Sequence, residues 1–374
     1  MEISRHIWYF IALNPETIQG KILIDILEFT LAHLIQTLNK DFGKGRFHAR
    51  ALFRDIFKQG NTNFLTSPEF LDSPRFARNL KGKVAVNPGE VVDTFDEGEL
   101  TKFITRLSDG LEIESVVIPM TRHNTLCVSS QVGCKMGCKF CETGRMGFKR
   151  NLKISEIVGQ VYNARHTLKK DIKNIVFMGM GEPLDNFDNL MGAIQVMNEQ
   201  QGFDIALRHM TLSTVGLIPG IERLATLDMP GLRLAISINA PDDEIRSRLM
   251  PINEVFPLAH LKKSLMDFPL PKRGIFLFEY ILIKGLNDSP AQADLLADFI
   301  GPLPVRLNLI AYNPIKGLDY ESPDEDQMYA FASLLSARGI MVIKRWSRGR
   351  SVSAGCGQLG KSNLKGLRVD NFTP

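Results

Sequence analysis

The sequence predicts an α/β fold, a partial (β/α)6 TIM-like barrel with a small helical N-terminal accessory domain. Two observations predict it. Beyond residue 125, six strand-like runs alternate with helix-like runs, and the strands are mostly apolar along their whole length. Such strands are buried on both faces, as in a parallel sheet covered by helices. The conspicuous polar and glycine residues then fall where these strands end, in "GMGEP", "STVG", "SIN" and "AYNP". In parallel α/β sheets the reacting groups gather at those C-terminal ends. A doubly wound sheet is the alternative arrangement of the same elements.

Along the chain, residues 1–85 form the helical accessory domain. "KILIDILEFTLAHLIQTLNK" (21–40) spaces its apolar residues at the helical period, and "ARALFRDIFKQG" (49–60) has an apolar face stopped by Gly60. Pro68, Pro74 and Pro88 punctuate the turn-rich stretch that follows. In residues 86–122 the alternating runs "TKFITRL" and "LEIESVVIP" predict a small β-hairpin or linker region. Residues 123–345 are the barrel. Its strands are expected at 125–130, 174–179, 209–214, 232–237, 276–283 and 305–311, with helices at 155–169, 187–200, 217–227, 258–267 and 289–300. A further helix near 324–338 and a strand at 340–345 lead into residues 346–374, a C-terminal loop and tail.

With 374 residues, 44% hydrophobic and 23% charged, the composition is that of an ordinary globular enzyme-sized chain. No apolar run approaches the length of a membrane span, and "MEISRHIWYF" lacks the pattern of a secretory signal. The five cysteines are odd in number and clustered, which argues against an oxidised framework and for a reducing cytoplasm. Net charge is only +4, but it is unevenly spread. Lys135, Lys139, Arg145, Lys149, Arg150 and Lys153 face a single acid, Glu142, and "KRWSRGR" (344–350) is followed by Lys361, Lys365 and Arg368. Both runs lie near a cysteine of interest, and predict a phosphate-facing surface around a reaction centre.

The chemistry is carried by "CVSSQVGCKMGCKFC" (127–141). Cys134, Cys138 and Cys141 put three soft ligands on one tight loop directly after the first barrel strand, with Gly133 and Gly137 to let it fold closely. Three thiolates are one short of a closed structural zinc site, whereas a [4Fe–4S] cluster held by three cysteines keeps one iron open. The zinc alternative recruits Cys127 as a fourth ligand and makes the protein a zinc-stabilised RNA-binding module without catalysis.

The spacing in "CKMGCKFC", with Phe140 before the last cysteine, resembles the radical S-adenosylmethionine superfamily. From about residue 47 to 360 the chain resembles the RNA adenosine C2 methyltransferases and their C8-methylating relative. The likeness rests on "FHARALFRDIF", "TLCVSSQVGC", "GFKRNL", "FMGMGEPL", "STVGLIPGI", "RSRLMPIN" and "CGQL". The resemblance implies methylation of an adenosine in RNA, 23S rRNA and also tRNA, with one [4Fe–4S] cluster on Cys134, Cys138 and Cys141 and two S-adenosylmethionines per turnover. It implies that Cys356 carries the methyl group as S-methylcysteine and that Cys127 resolves the product through a transient disulfide. Glu114 is then the proton acceptor, and Gly181, Glu182, Ser213, Ser237, Ile238, Asn239 and Asn313 contact S-adenosylmethionine. An electron donor such as flavodoxin or ferredoxin, a monomeric chain, no membrane and RNA gripping by the N-terminal domain follow from the same likeness. Three places depart from the family pattern. Asn239 stands where histidine is usual, His123–Asn124 where an arginine is usual, and "GRSVSAGC" lacks two carboxylates expected before the carrier cysteine.

Overall fold

Ten strands hydrogen-bond into one sheet in the structure, a computed structural model that describes residues 17–18, 21–346 and 349–360. They are β1 (Glu90–Glu97), β2 (Leu100–Arg106), β3 (Glu112–Pro119), β4 (Asn124–Cys127), β5 (Ile172–Phe177), β6 (Met210–Thr214), β7 (Arg233–Ser237), β8 (Phe276–Leu282), β9 (Val305–Ala311) and β10 (Met341–Arg345). Their order across the sheet is their order along the chain. From β4 to β10 each neighbour is parallel, which gives the expected partial barrel with the 340–345 strand as its last member. The larger helices are α1 (Leu31–Phe42), α2 (Arg46–Phe53), α3 (Ile154–Tyr162), α4 (Phe187–Asn198), α5 (Ile218–Ala225), α6 (Leu258–Asp267), α7 (Pro290–Ile300) and α8 (Glu325–Ala337). The last six follow barrel strands in turn, and their apolar faces join the strands in one continuous core.

Two expectations are corrected. Residues 86–122 do not make a separate hairpin. β1, β2 and β3 form an antiparallel meander that continues the barrel sheet, because β3 pairs with β4 in register Val116 to Cys127. The reason is burial: β2 and β3 are buried at almost every position, so each needs cover on both faces. The second correction concerns residues 21–40. Short strands at Lys21–Ile22 and Ile24–Asp25 and a tight turn at Ile26–Glu28 precede a helix that begins only at Leu31. Thr30 stops the helix from extending backwards, since its hydroxyl accepts from His33 N–H at 3.2 Å as an N-cap.

The N-terminal helices pack on the barrel through apolar and polar contacts. Phe57 meets Phe203 with ring centroids 5.0 Å apart, and Ser155 Oγ donates to Glu28 Oε1 at 2.8 Å. Residues 1–16, Lys361, Lys365 and Arg368 lie outside the described residues. Among the described residues no helix is long and apolar enough to cross a membrane.

Candidate active site

A cavity of about 150 Å³ opens at the C-terminal ends of the parallel strands. Its wall includes Cys134, Cys138 and Cys141 from the loop after β4, Gly181 and Glu182 after β5, and Ser213, Ser237 and Asn239 from β6 and the end of β7. Cys356 closes it from the C-terminal loop.

The cysteine loop alternates inward and outward residues. Met136, Cys138 and Phe140 are buried against Ala240, Leu249, Met250 and Tyr312, while Lys135 and Lys139 point to solvent. Gly133 adopts φ +75°, and a Cβ there would lie 1.8 Å from the Gly147 carbonyl, so no side chain fits this crossing of the chain. Beneath it the polar residues of "SSQ" are buried and fully engaged. Gln160 Oε1 accepts from Ser129 N–H and the Ser115 hydroxyl, and Gln131 Oε1 accepts from Glu182 N–H at 2.9 Å. That last bond ties the cysteine loop to the "GMGEP" turn.

Burial pushes all three loop thiols up, Cys134 to about 12; Glu182 and Cys141 push Cys134 further, and Cys141 and Cys134 push Cys138 further. Such thiols become thiolates only when a bound group brings positive charge, which is the donor set a metal cluster requires. Cys127 does not join them. Its thiol is raised first by burial and then by the charge of Cys356. Cys127 is absent from the cavity wall on which the other three and Cys356 lie. Among the described residues no three His, Cys, Asp or Glu side chains close on a single ion.

Glu182 is buried, and burial raises its carboxyl to about 7 against the pull of Val215 N–H, the Thr214 hydroxyl and Leu184 N–H. Its Oε2 accepts from Val215 N–H at 3.0 Å and its Oε1 from Leu184 N–H at 3.2 Å. A cationic group in the cavity would hold it ionised. The turn between β6 and α5 is closed by Thr214, whose hydroxyl accepts from Gly216 and Leu217 N–H, and Ser213 lines the cavity. Asn239 takes the left-handed conformation, φ +57°, which asparagine tolerates well. Its Oδ1 accepts from Ile281 N–H at 2.9 Å and its Nδ2 donates to Met250 Sδ.

Two expected cofactor contacts, Ile238 and Asn313, are not on this cavity's wall. Ile238 is fully buried and off the cavity wall, with its N–H on Glu279 O. Asn313 also lies outside that wall, and its Nδ2 donates to the Cys356 carbonyl at 3.0 Å. Cys356 is exposed to the cavity, yet the surrounding protein, followed by Glu279, pushes its thiol up to about 11. Glu114 is buried on β3 beside the loop that carries Cys356. Its Oε2 pairs with Lys102 Nζ at 3.1 Å, Lys102 also donates to Ser353 O at 3.3 Å, and Glu114 Oε1 is buried with no partner.

The basic run is partly structural. Arg150 is committed to Glu156 and Asp109, and Lys135 to Asp185, which leaves Lys139 and Lys149 among its exposed members. Sequence reasoning missed two charged residues at the site. Arg246, within "RSRLMPIN", is buried and joins two strand ends by donating to Val215 O at 2.7 Å and Ile238 O at 3.2 Å. Glu279 lines the cavity from β8, accepts from Asn308 Nδ2 at 2.7 Å, and is raised to about 7 chiefly by burial. The available signal was one acid inside the otherwise apolar run "FLFEYILI".

A partial barrel with three clustered thiols at its strand ends defines a radical S-adenosylmethionine protein, and residues 128–294 match the radical SAM superfamily. The chain is 41% identical to the dual-specificity RNA methyltransferase RlmN of Pelobacter propionicus, over 92% of this chain and 97% of that one. It is 38% identical to the dual-specificity RNA methyltransferase RlmN 2 of Myxococcus xanthus, over 94% of each. A crystal structure of a radical SAM methyltransferase from Sphaerobacter thermophilus superposes with a TM-score of 0.82 at 35% identity, covering 90% of this chain and 99% of that one. The chain belongs to the family of dual-specificity RNA methyltransferases.

Proposed function

We propose that the protein methylates C2 of an adenosine in 23S rRNA, and in tRNA, with Cys356 as the methyl carrier and Cys127 as the resolving thiol. The observation that carries this is the position of Cys356: more than 200 residues away in sequence, it lies on the wall of the same cavity as Cys134, Cys138 and Cys141, and its charge reaches Cys127. Cys134, Cys138 and Cys141 would hold one [4Fe–4S] cluster, and S-adenosylmethionine would take the cavity lined by Gly181, Glu182, Ser213, Ser237 and Asn239. When bound, these groups supply a methyl group and one-electron chemistry able to activate an unreactive C–H bond.

The chain's own residues do the rest. Glu182 offers a buried carboxylate to a cationic amino group. Asn313 and the cluster loop hold the backbone around Cys356, the latter through Glu142 N–H on Gly357 O at 2.7 Å. Glu114, with one oxygen buried and unpartnered, is the base for the C2 proton. Cys127 frees the product by attacking the Cys356 sulfur: the Cys127–Cys356 disulfide forms as the bond from that sulfur to the transferred carbon breaks, and the carbon keeps the electron pair and takes a proton. External reductant then reopens the disulfide, so a reducing cytoplasm suits the cycle. Single electrons come from a donor such as flavodoxin or ferredoxin, and the chain acts as a monomer. Exposed Lys40, Lys44, Arg46 and Arg50 around the exposed ring of Phe47 support RNA gripping by the N-terminal domain.

The test is anaerobic reconstitution with RNA, reductant and methyl-labelled S-adenosylmethionine, read by nucleoside mass spectrometry beside Cys356→Ala. Labelled 2-methyladenosine that vanishes in the variant is the expected result. Formation of 8-methyladenosine would move the target carbon, and an unaffected variant would refute the carrier role.

A further inference from the structure

The carrier loop contains no acid of its own between Gly349 and Cys356, yet it is docked by one. Glu97 stands at the end of β1, where the meander turns into β2. Its Oε1 accepts from Gly349 N–H at 2.5 Å. Its Oε2 accepts from Ser351 N–H at 2.9 Å and from the Ser351 hydroxyl. One carboxylate thus takes three donors from two residues of the loop, Gly349 and Ser351, and each bond is strengthened by the full charge on the acceptor. The fit is steric as well. Gly349 has φ +80°, and a Cβ there would crowd Leu100 on β2 and Ala354 in the loop. The loop closes on itself through Ala354 N–H to Gly349 O at 2.8 Å, and Val352 and Ala354 pack against the main core. A second contact from the same hairpin, Lys102 Nζ to Ser353 O, holds the loop three residues before Cys356.

We propose that Glu97 is the positioning residue that seats the Cys356 loop, supplying from the β1–β2 hairpin the carboxylate which "GRSVSAGC" lacks. This rests on the reading of Cys356 as the methyl carrier. The hairpin then has a task in the reaction: it fixes the side of the loop that the cluster loop does not reach. The Ser351 hydroxyl, then the Ser351 and Gly349 amides and Arg350, hold the Glu97 carboxyl below the ordinary carboxylate range against its partial burial. A depressed acid keeps its anchoring charge throughout neutral pH and loses it only as pH falls through that lowered value.

Glu97→Ala and Glu97→Gln in the full chain test this. The activity-free readouts are amide hydrogen exchange of residues 349–356 and the rate at which iodoacetamide modifies Cys356, followed by peptide mass spectrometry. Glu97→Ala should speed exchange at Gly349 and Ser351 and raise Cys356 modification about tenfold. Cys127 modification and melting temperature should stay as in the unmodified sequence. Glu97→Gln, which keeps an acceptor but not the charge, should fall between. With RNA present, Glu97→Ala should form several-fold more 5′-deoxyadenosine per methyladenosine, because activation continues while the carrier is misplaced. Exchange and Cys356 modification equal to those of the starting protein would overturn the proposal. If the starting protein itself yields no methyladenosine, the carrier reading fails, while exchange and modification still decide the anchor.

Discussion

Replacing Lys102 with methionine removes the cation from a pair that is almost solvent-free: Lys102 and Glu114 are 0% and 1% exposed, with Nζ and Oε2 3.1 Å apart. Methionine fills a similar volume, so the loss is electrostatic rather than steric. Taking one partner from a buried pair costs about 3–5 kcal/mol, because a charge is left without compensation. The cheapest escape for a stranded carboxylate is to bind a proton, at about 1.4 kcal/mol for every pH unit above the ordinary glutamate range. The sign follows directly. The folded variant then binds a proton that its unfolded chain releases, so its stability falls as pH rises. Relative to the starting protein, Lys102→Met should therefore melt about 6–10 °C lower at pH 7.5, at roughly 2 °C per kcal/mol for a large chain. The gap should narrow by about 1.4 kcal/mol per unit as pH is lowered to 5.5. Adding Glu114→Gln should restore most of the loss at pH 7.5, since no charge remains buried. Thermal melts at stepped pH decide it. A variant within about 1 kcal/mol of the starting protein at pH 7.5, or a gap that ignores pH, refutes the reasoning.

Three further outcomes are expected. Gly133→Ala, whose Cβ would meet the Gly147 carbonyl, should fold with the barrel intact but retain little iron after reconstitution, measured per chain by chelator assay; full iron loading would show that the loop tolerates the change. Glu279→Gln removes the charge that, after burial, raises Cys356, so the thiol should titrate lower than about 11. Its modification rate at pH 8 should rise, about tenfold for each unit of the fall, and an unchanged rate would separate the two groups. Asn239→Ala combines left-handed strain with an orphaned Ile281 N–H and should cost about 2–4 kcal/mol in urea unfolding, against near-neutrality if the amide is dispensable.

The barrel strands are legible in the sequence because burial on both faces leaves little choice of residue: "VRLNLIA" matches β9 residue for residue. β1 is less so. "EVVDTFDE" places acids along an edge strand, where one side meets only water, and it carries no buried stripe to announce it. Helical periodicity in "KILIDILEFT" is outweighed by the Thr30 cap, a local hydrogen bond that a periodicity count does not weigh. At the site, the cysteine spacing is legible because three ligands on one loop must lie close in sequence. Contacts made across the fold are not. Asn313 reads correctly as a polar strand-end residue, but its partner, the Cys356 carbonyl, is set by a loop 43 residues away. Glu97 gives no local sign at all, since its donors lie more than 250 residues further on.

Every strand of the sheet lies beside its immediate predecessor in the chain, so none has to be threaded between two already paired. The sheet can therefore grow from the β1 edge in the order of synthesis, each new strand pairing with the one before it. The cysteine loop and Cys127 belong to the early part of that order. The contact between Glu97 and Gly349, 252 residues apart, can close only when nearly all the rest exists. Loop-closure entropy grows slowly with length, about 0.6 kcal/mol for each doubling, so this late step adds little thermodynamic cost. Its effect is temporal: the Cys356 loop reaches a chamber whose other walls are already in place, and a chain released before residue 349 would lack both Cys356 and the Glu97 contact.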